Sequence, residues 1–284
     1  MVREEEVFSR GVAVITGAGA GIGSGLARRV GELGMHVVVT DISEARAASV
    51  AAEIQSKGGS AEARVVDVSK PAELDRLAAD VFDRHGAVRL LVNNAGIETI
   101  GFVWEIPIER WEATLNINIH GAVHGVRAFV PHMLKAGQEC WLANLSSIGA
   151  FSTMPTQTAY IMSKHAVQAF TECLYLEMSL AKAPIHVSSV IPGMLKTSIF
   201  DAEAGTGEPD SAQRHRAAMR ESMAAYGMDL EEGCRRIIAQ IAAGEFWVST
   251  QPEMTREMTA ARIDFLRDQI PPQLGEQARQ LLGA

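Results

Sequence analysis

Val12-Ala13-Val14-Ile15-Thr16-Gly17-Ala18-Gly19-Ala20-Gly21-Ile22-Gly23 sets an apolar run, a glycine-rich turn and the start of a helical pattern in direct succession. Val12–Thr16 reads as a buried strand and Ile22–Leu33 as the helix that follows it. The spacing Gly17-x-x-x-Gly21-x-Gly23 permits a tight turn and close approach of backbone to a pyrophosphate. The helix start adds unpaired amides and the positive end of its dipole. A structural turn alone would use the same residues. The placement between strand and helix is what points to a nucleotide.

Outward from this stretch the same alternation repeats. His36–Thr40, Ala63–Val66, Leu90–Val92, Cys140–Leu145 and Ile185–Ile191 are short, nearly continuous apolar runs, as expected of parallel strands covered on both faces. Helical patterns separate them: Glu44–Lys57, Ala72–His85, Ile108–Lys135 and Gln157–Ala181. The series predicts an α/β, doubly wound parallel sheet of the Rossmann type with right-handed crossovers, and Phe246–Ser249 reads as a last strand. No repeat or low-complexity linker divides the chain. It is therefore read as a single domain over residues 1–284, with a core of about 8–250. Residues 197–226, containing Ala-Glu-Ala-Gly-Thr-Gly-Glu-Pro-Asp (202–210) and then Met219 and Met223, with Met228 just beyond, read as a substrate lid. The tail 252–284, with helical spacing at Met258, Ile263 and Leu266, reads as a C-terminal extension packed on the core or on a second subunit.

The composition narrows the function. The 284 residues carry 26 basic and 34 acidic side chains, a net charge of −8 spread along the chain. With no basic tract, no nucleic-acid partner is expected. Cys140, Cys173 and Cys234 are too few and too scattered for a disulfide framework or a zinc knuckle. No run of about 18 apolar residues occurs, so no membrane span is expected, and the N-terminus lacks a signal-peptide core. The expected location is cytoplasmic.

Two further features carry chemistry. Asp41 ends the second strand, where an acid can accept both ribose hydroxyls of an adenosine and repel a 2′-phosphate. Ala20 and Ile42 beside it offer no basic side chain for such a phosphate, which argues for NAD over NADP. Capping of the next helix is the other use open to Asp41, although Ser43 is the more obvious cap. Tyr160 and Lys164 lie one helical turn apart on one face. A phenol with a reference pKa of about 10 needs help to act at neutral pH, and a nearby ammonium lowers that value. A serine hydroxyl beside the phenol can donate to a carbonyl or alkoxide oxygen, and Ser147 stands thirteen residues before Tyr160.

Thr16-Gly-Ala-Gly-Ala-Gly-Ile-Gly23, Asp67-Val68, Asn93-Asn94-Ala95-Gly96, Asn118, Ser147, Tyr160-x-x-x-Lys164 and Pro192-Gly193 occur in this order. Together they resemble a short-chain dehydrogenase/reductase, closely over about residues 8–200. The resemblance implies an NAD site formed by Gly17, Ala20, Gly21, Ile22, Gly23, Asp41 and Ile42. It implies that Asp67 bonds the adenine amino group, with Val68 contributing backbone atoms, and that Asn94, Ala95 and Gly96 line the ribose side. Pro192, Gly193, Leu195 and Thr197 would hold the carboxamide. Asn118, Ser147, Tyr160 and Lys164 would be the catalytic tetrad: Asn118 holds a water in a relay to Lys164, Ser147 orients the substrate oxygen, Tyr160 exchanges its proton, and Lys164 also binds the nicotinamide ribose. Ser146 is a rival for the serine role, but strand alternation turns it to the other face.

The implied reaction is proton transfer through Tyr160 with hydride passing between a carbinol carbon and nicotinamide. No metal is expected; His120 and His124 have ligand spacing but no third partner in view. The residues implied to face substrate, Ile97, Glu98, Phe151, Met154, Met194, Ile199 and Phe200, are apolar with one carboxylate and no arginine, favouring a hydrophobic or aromatic secondary alcohol and its ketone. An NADP-dependent 3-oxoacyl reductase and a non-catalytic NAD-binding sensor or scaffold stand as alternatives. Relatives pair through two long helices, here about 108–135 and 157–181, so a homodimer or homotetramer is implied.

Overall fold

The computed structural model describes residues 3–201, 209–276 and 278–279. Seven parallel strands form one sheet: β1 (Val12–Ile15), β2 (His36–Asp41), β3 (Ser60–Val65), β4 (Leu90–Asn93), β5 (Cys140–Leu145), β6 (Ile185–Ile191) and β7 (Trp247–Ser249). Their order across the sheet is β3-β2-β1-β4-β5-β6-β7. The order reverses between β1 and β4, and a crevice outside the carboxyl ends of the strands opens at such a switch point.

The helices are α1 (Glu4–Phe8), α2 (Gly21–Leu33), α3 (Glu44–Ser56), α4 (Pro71–His85), α5 (Ile108–Leu115), α6 (Gly121–Ala136), α7 (Thr158–Leu180), α8 (Asp210–Tyr226), α9 (Leu230–Ala242) and α10 (Pro252–Arg267). Side chains of β1 alternate between the two faces: Ala13 and Ile15 enter a core with Leu26, Ile54 and Ile237. Val12 and Val14 enter the opposite core with Leu74, Phe129 and Leu174. Burial on both faces is why these strands read as unbroken apolar runs.

The structure departs from the sequence reading in two places. β3 begins three residues earlier than expected and alternates in exposure, because it is an edge strand paired only with β2 from Ser60 to Val65. The long helix over 108–135 is interrupted by a π-helical turn, Asn116–His120. That turn carries the buried Asn118 inward, a use typical of π-bulges at functional sites. The lid contains α8, but residues 202–208 of the lid sequence lie outside those described, as do 280–284 of the C-terminal extension. α8 packs through Ala212 and Met223 against Ile100 and Phe200, making a small third core over the carboxyl edge. α10 buries none of its residues. Among the described residues no helix is long and apolar enough to cross a membrane.

Candidate active site

At the cofactor end, the turn after β1 is held to β4 by side chains. Thr16 Oγ1 accepts from the amides of Asn94 and Ala95, at 3.0 and 3.1 Å. Asn94 Nδ2 donates back to the carbonyls of Thr16 and Gly17, at 2.8 and 3.1 Å. Asn94 therefore braces the turn rather than offering its amide nitrogen to a ligand, and Thr16, which spacing alone did not single out, is its counterpart. Gly17 sits at φ +63°, and a Cβ there would lie 2.8 Å from the Cα of Ala95. At Gly23 a Cβ would come within 2.4 Å of the Gly17 carbonyl. Ala20 caps α2 with no side-chain bond, so the first-turn amides are open to an anion. Thr197 lies 3.8 Å from where a Cβ at Gly21 would stand. Glycine here keeps open the slot between turn and Thr197. These features fit a dinucleotide pyrophosphate.

Asp41 is buried at the end of β2. Its Oδ2 accepts from Gly19 N at 3.1 Å and its Oδ1 from Ser43 N at 2.9 Å. Ser43 is the cap of α3, accepting from Arg46 N. Arg46 Nη2 lies 2.8 Å from Asp41 Oδ1. Ala20 and Ile42 offer no basic side chain, as expected, but Arg46 reaches back from one turn into α3 and supplies one. Ile42 is exposed. Asp67 accepts from Ser69 N and Ser69 Oγ and pairs with Lys70 at 3.2 Å. Val68 O is taken by His124 Nδ1 at 2.9 Å. After β6, Gly193 N and Met194 N donate to Thr250 and Gln251, at 3.0 and 2.8 Å, which pins the Pro192–Met194 segment. Leu195 is buried against Gly233, so a ligand there meets its backbone.

The proposed tetrad converges beyond β5. Ser147 caps a short 3-10 turn, accepting from Gly149 N at 3.0 Å, and its side chain acts on Tyr160 in the sense that favours phenolate. Ser146 turns away, its Oγ 3.4 Å from the Lys164 carbonyl on α7. Lys164 is buried, with Nζ donating to Leu145 O at 2.8 Å and standing 5.6 Å from the Tyr160 ring centroid. Asn118 Oδ1 accepts from Ile97 N at 2.8 Å, and Nδ2 donates to Ile97 O and Ser163 Oγ. One lone pair of Oδ1 is left for a further donor. A Cβ at Gly96 would lie 3.4 Å from Asn118 Oδ1 and 3.6 Å from Lys164 Nζ, so Gly96 lets this backbone pass close to both.

The electrostatics differ from the simple expectation. The Tyr160 phenol is pushed up, not down, first by burial and then by the charge of Glu98, with the Ser147 side chain opposing. Burial pushes Lys164 down to about 8, Glu98 opposing. The ammonium is turned to the Leu145 carbonyl, which limits its help to the phenol in this state.

On the substrate side, Met194, Ile199 and Phe200 join the small core under α8. Phe151 faces Trp247, ring centroids 6.1 Å apart; Met154 is partly buried. Glu98 is buried. The expectation of a site without arginine is also corrected: buried Arg216 of α8 acts electrostatically on Glu98. It lies far along the chain, inside a segment read only as a lid. His120 and His124 each hydrogen-bond elsewhere, to Asn116 and Val68. Among the described residues, His36, Glu62 and His85 do gather within 4.8 Å. Arg64 and Arg84 already pair with Glu62 there. Burial pushes the thiols of Cys140 and Cys234 up to about 11 and 12.

Comparison with known proteins gives concordant likenesses. The short chain dehydrogenase family model matches residues 11–206. "Probable oxidoreductase EphD" of Mycobacterium tuberculosis is 32% identical over 232 residues. That match takes in 80% of this chain but 39% of EphD, so the chain spans about two fifths of that relative's length. The 1-deoxy-11-beta-hydroxypentalenate dehydrogenase of Streptomyces avermitilis is 34% identical, over 65% of this chain and 68% of its own. Among solved structures, a short chain dehydrogenase/reductase from Burkholderia phymatum in complex with NAD superposes with a TM-score of 0.89 at 28% identity, covering 94% of this chain and 98% of that one.

Proposed function

The chain belongs to the short chain dehydrogenase family, and on that premise we propose that it interconverts a secondary alcohol and its ketone with NAD as cofactor, on a hydrophobic or aromatic substrate. The observation that carries this reading is the meeting of Ser147, Tyr160, Lys164 and Asn118 at the carboxyl edge of the sheet, beside the glycine turn. Residues of the turn, Asp41 and the Pro192–Thr197 segment would hold the dinucleotide, which when bound supplies the acceptor or donor for hydride. In the oxidising direction Tyr160 takes the hydroxyl proton, Ser147 donates to the substrate oxygen as charge develops, and Lys164 holds positive charge below the phenol. Asn118 fixes the Ile97 backbone that walls the site. Asp41 supports NAD, as does the cofactor of the Burkholderia structure; Arg46 is the observation that favours NADP as the second reading.

We further place the protein in the cytoplasm, in keeping with three free cysteines, and assemble it as a homodimer or homotetramer. Exposed Ile108 on α5 and Leu176 and Leu180 on α7 favour pairing through those helices. The direct test is cofactor reduction by aliphatic, aromatic, steroid and sugar alcohols, with NAD and NADP side by side, on protein whose mass is measured in solution. NADH formation with a hydrophobic secondary alcohol is expected. Tight NAD binding without turnover of any alcohol would favour a sensor, and a monomer would remove the assembly.

A further inference from the structure

Glu98 is a carboxylate with almost no access to solvent, 5% exposed, two residues beyond the Gly96 backbone that passes Lys164. Gln157, the Thr99 backbone, Lys164 and Arg216 all favour its charged form against the burial that opposes it. Its Oε1 nevertheless has no hydrogen-bond partner. Buried polar atoms in folded proteins are nearly always paired, so an orphan oxygen beside a reaction site calls for a ligand.

The surroundings say which kind. The charged or titratable groups that act on Glu98, or on which it acts, are Tyr160 and Lys164 of α7 and Arg216 of α8. Two of these are cationic, so a third cation from an ammonium-bearing ligand meets repulsion. An acidic ligand would bring a second acid group into a site closed to water, where its charge is costly. A neutral donor, a hydroxyl, fits both constraints. Ile100, two residues on from Glu98, belongs with Phe200 and Met194 to the apolar cluster under α8, the helix that also carries Arg216.

We propose that Glu98 is a specificity-determining residue whose Oε1 accepts a hydrogen bond from a second hydroxyl of the substrate, so that the preferred substrates are hydrophobic hydroxyketones and the corresponding diols. This rests on the dehydrogenase reading above and narrows its substrate class. Burial holds the Glu98 carboxyl up to about 8, so an occupying hydroxyl, by donating to Oε1, also favours the ionised form.

The test compares matched ketones: α-hydroxyacetophenone against acetophenone, and α-hydroxycyclohexanone against cyclohexanone, with NADH and NADPH. Wild type is expected to prefer the hydroxyketone of a pair by about 10–100-fold in kcat/KM, chiefly through KM. Glu98→Leu is expected to bring the kcat/KM ratio within each pair to within about threefold of unity, read apart from any change common to both members that follows from removing the group that acts on Tyr160 and Lys164. Glu98→Gln, which keeps an acceptor oxygen, is expected to retain the preference. If wild type reduces both members of each pair equally, or E98L slows both in equal measure, the inference is overturned and the dehydrogenase reading survives. If wild type reduces no ketone of the panel, that reading falls and this one with it. Should E98L fail to fold, the wild-type ratio alone decides.

Discussion

Tyr160→Phe is expected to lower turnover of any secondary alcohol by about 10²–10⁴-fold, the usual contribution of a positioned acid–base group. That corresponds to roughly 3–5 kcal/mol of transition-state stabilisation. Cofactor affinity should stay within about threefold of wild type, since the ring and the Lys164 position are kept and only one hydroxyl is removed. The fold should tolerate the change: Ser147 Oγ still accepts from Gly149 N, so no buried acceptor is stranded. The pH dependence has a definite sign. Burial and Glu98 both favour the protonated phenol, and oxidation needs the phenolate. Wild-type alcohol oxidation should therefore still be rising at about pH 10, while ketone reduction, which needs the proton on the phenol, holds up to that pH because a phenol pushed above its reference pKa of about 10 stays protonated there. Stopped-flow NADH absorbance with separate fluorescence titration of the cofactor checks both. Near-normal turnover by Y160F with cofactor binding intact would remove Tyr160 from the proton-transfer role.

Much of this architecture is legible in sequence for a physical reason. Strands buried on both faces must be apolar throughout, so β1, β4, β5 and β6 announce themselves. The start of β3 is less legible, because Ser60, Ala63 and Val65 are exposed and Glu62 and Arg64 only half-buried, so pairing with β2 rather than an apolar run defines this edge strand. The glycine turn and the Tyr160–Lys164 spacing are local and are read directly. Arg46 and Arg216 were missed for opposite reasons. Arg46 stands close in sequence to Asp41, but the reach of a long side chain back from α3 is a matter of geometry. Arg216 comes from a distant helix whose docking over the site no spacing encodes. The π turn at Asn116–His120 is likewise invisible to a helical pattern that continues through it, although the inward turn of Asn118 depends on it. The sign of the Tyr160 shift is not legible in sequence because it hangs first on burial of the phenol and then on Glu98, both properties of the folded packing.

Asp41→Ala is expected to change the ratio of kcat/KM for NAD over NADP by about 10²–10³-fold toward NADP, through two changes of like direction. The first is removal of repulsion: a carboxylate about 4 Å from a phosphate charge costs on the order of 4 kcal/mol per charge pair at an effective dielectric of about 20. The pairing with Arg46 reduces that figure in the wild type, which is why the expected change is smaller than the bare Coulomb value. The second is release of Arg46, whose Nη2 is now held 2.8 Å from Asp41 Oδ1 and which would become available to a 2′-phosphate as a charge-assisted donor. NAD itself should lose about tenfold, because the acceptor for the ribose hydroxyls is gone. The two contributions separate in a double-mutant cycle with Arg46→Ala. If released Arg46 binds the phosphate, the D41A/R46A pair should show a markedly smaller gain for NADP than D41A alone. Initial rates with both cofactors across the four proteins provide the measurement. A wild type with equal preference for the two cofactors, or a D41A ratio unchanged from wild type, would mean that Asp41 serves to order the turn through Gly19 N and Ser43 N and does not choose the cofactor.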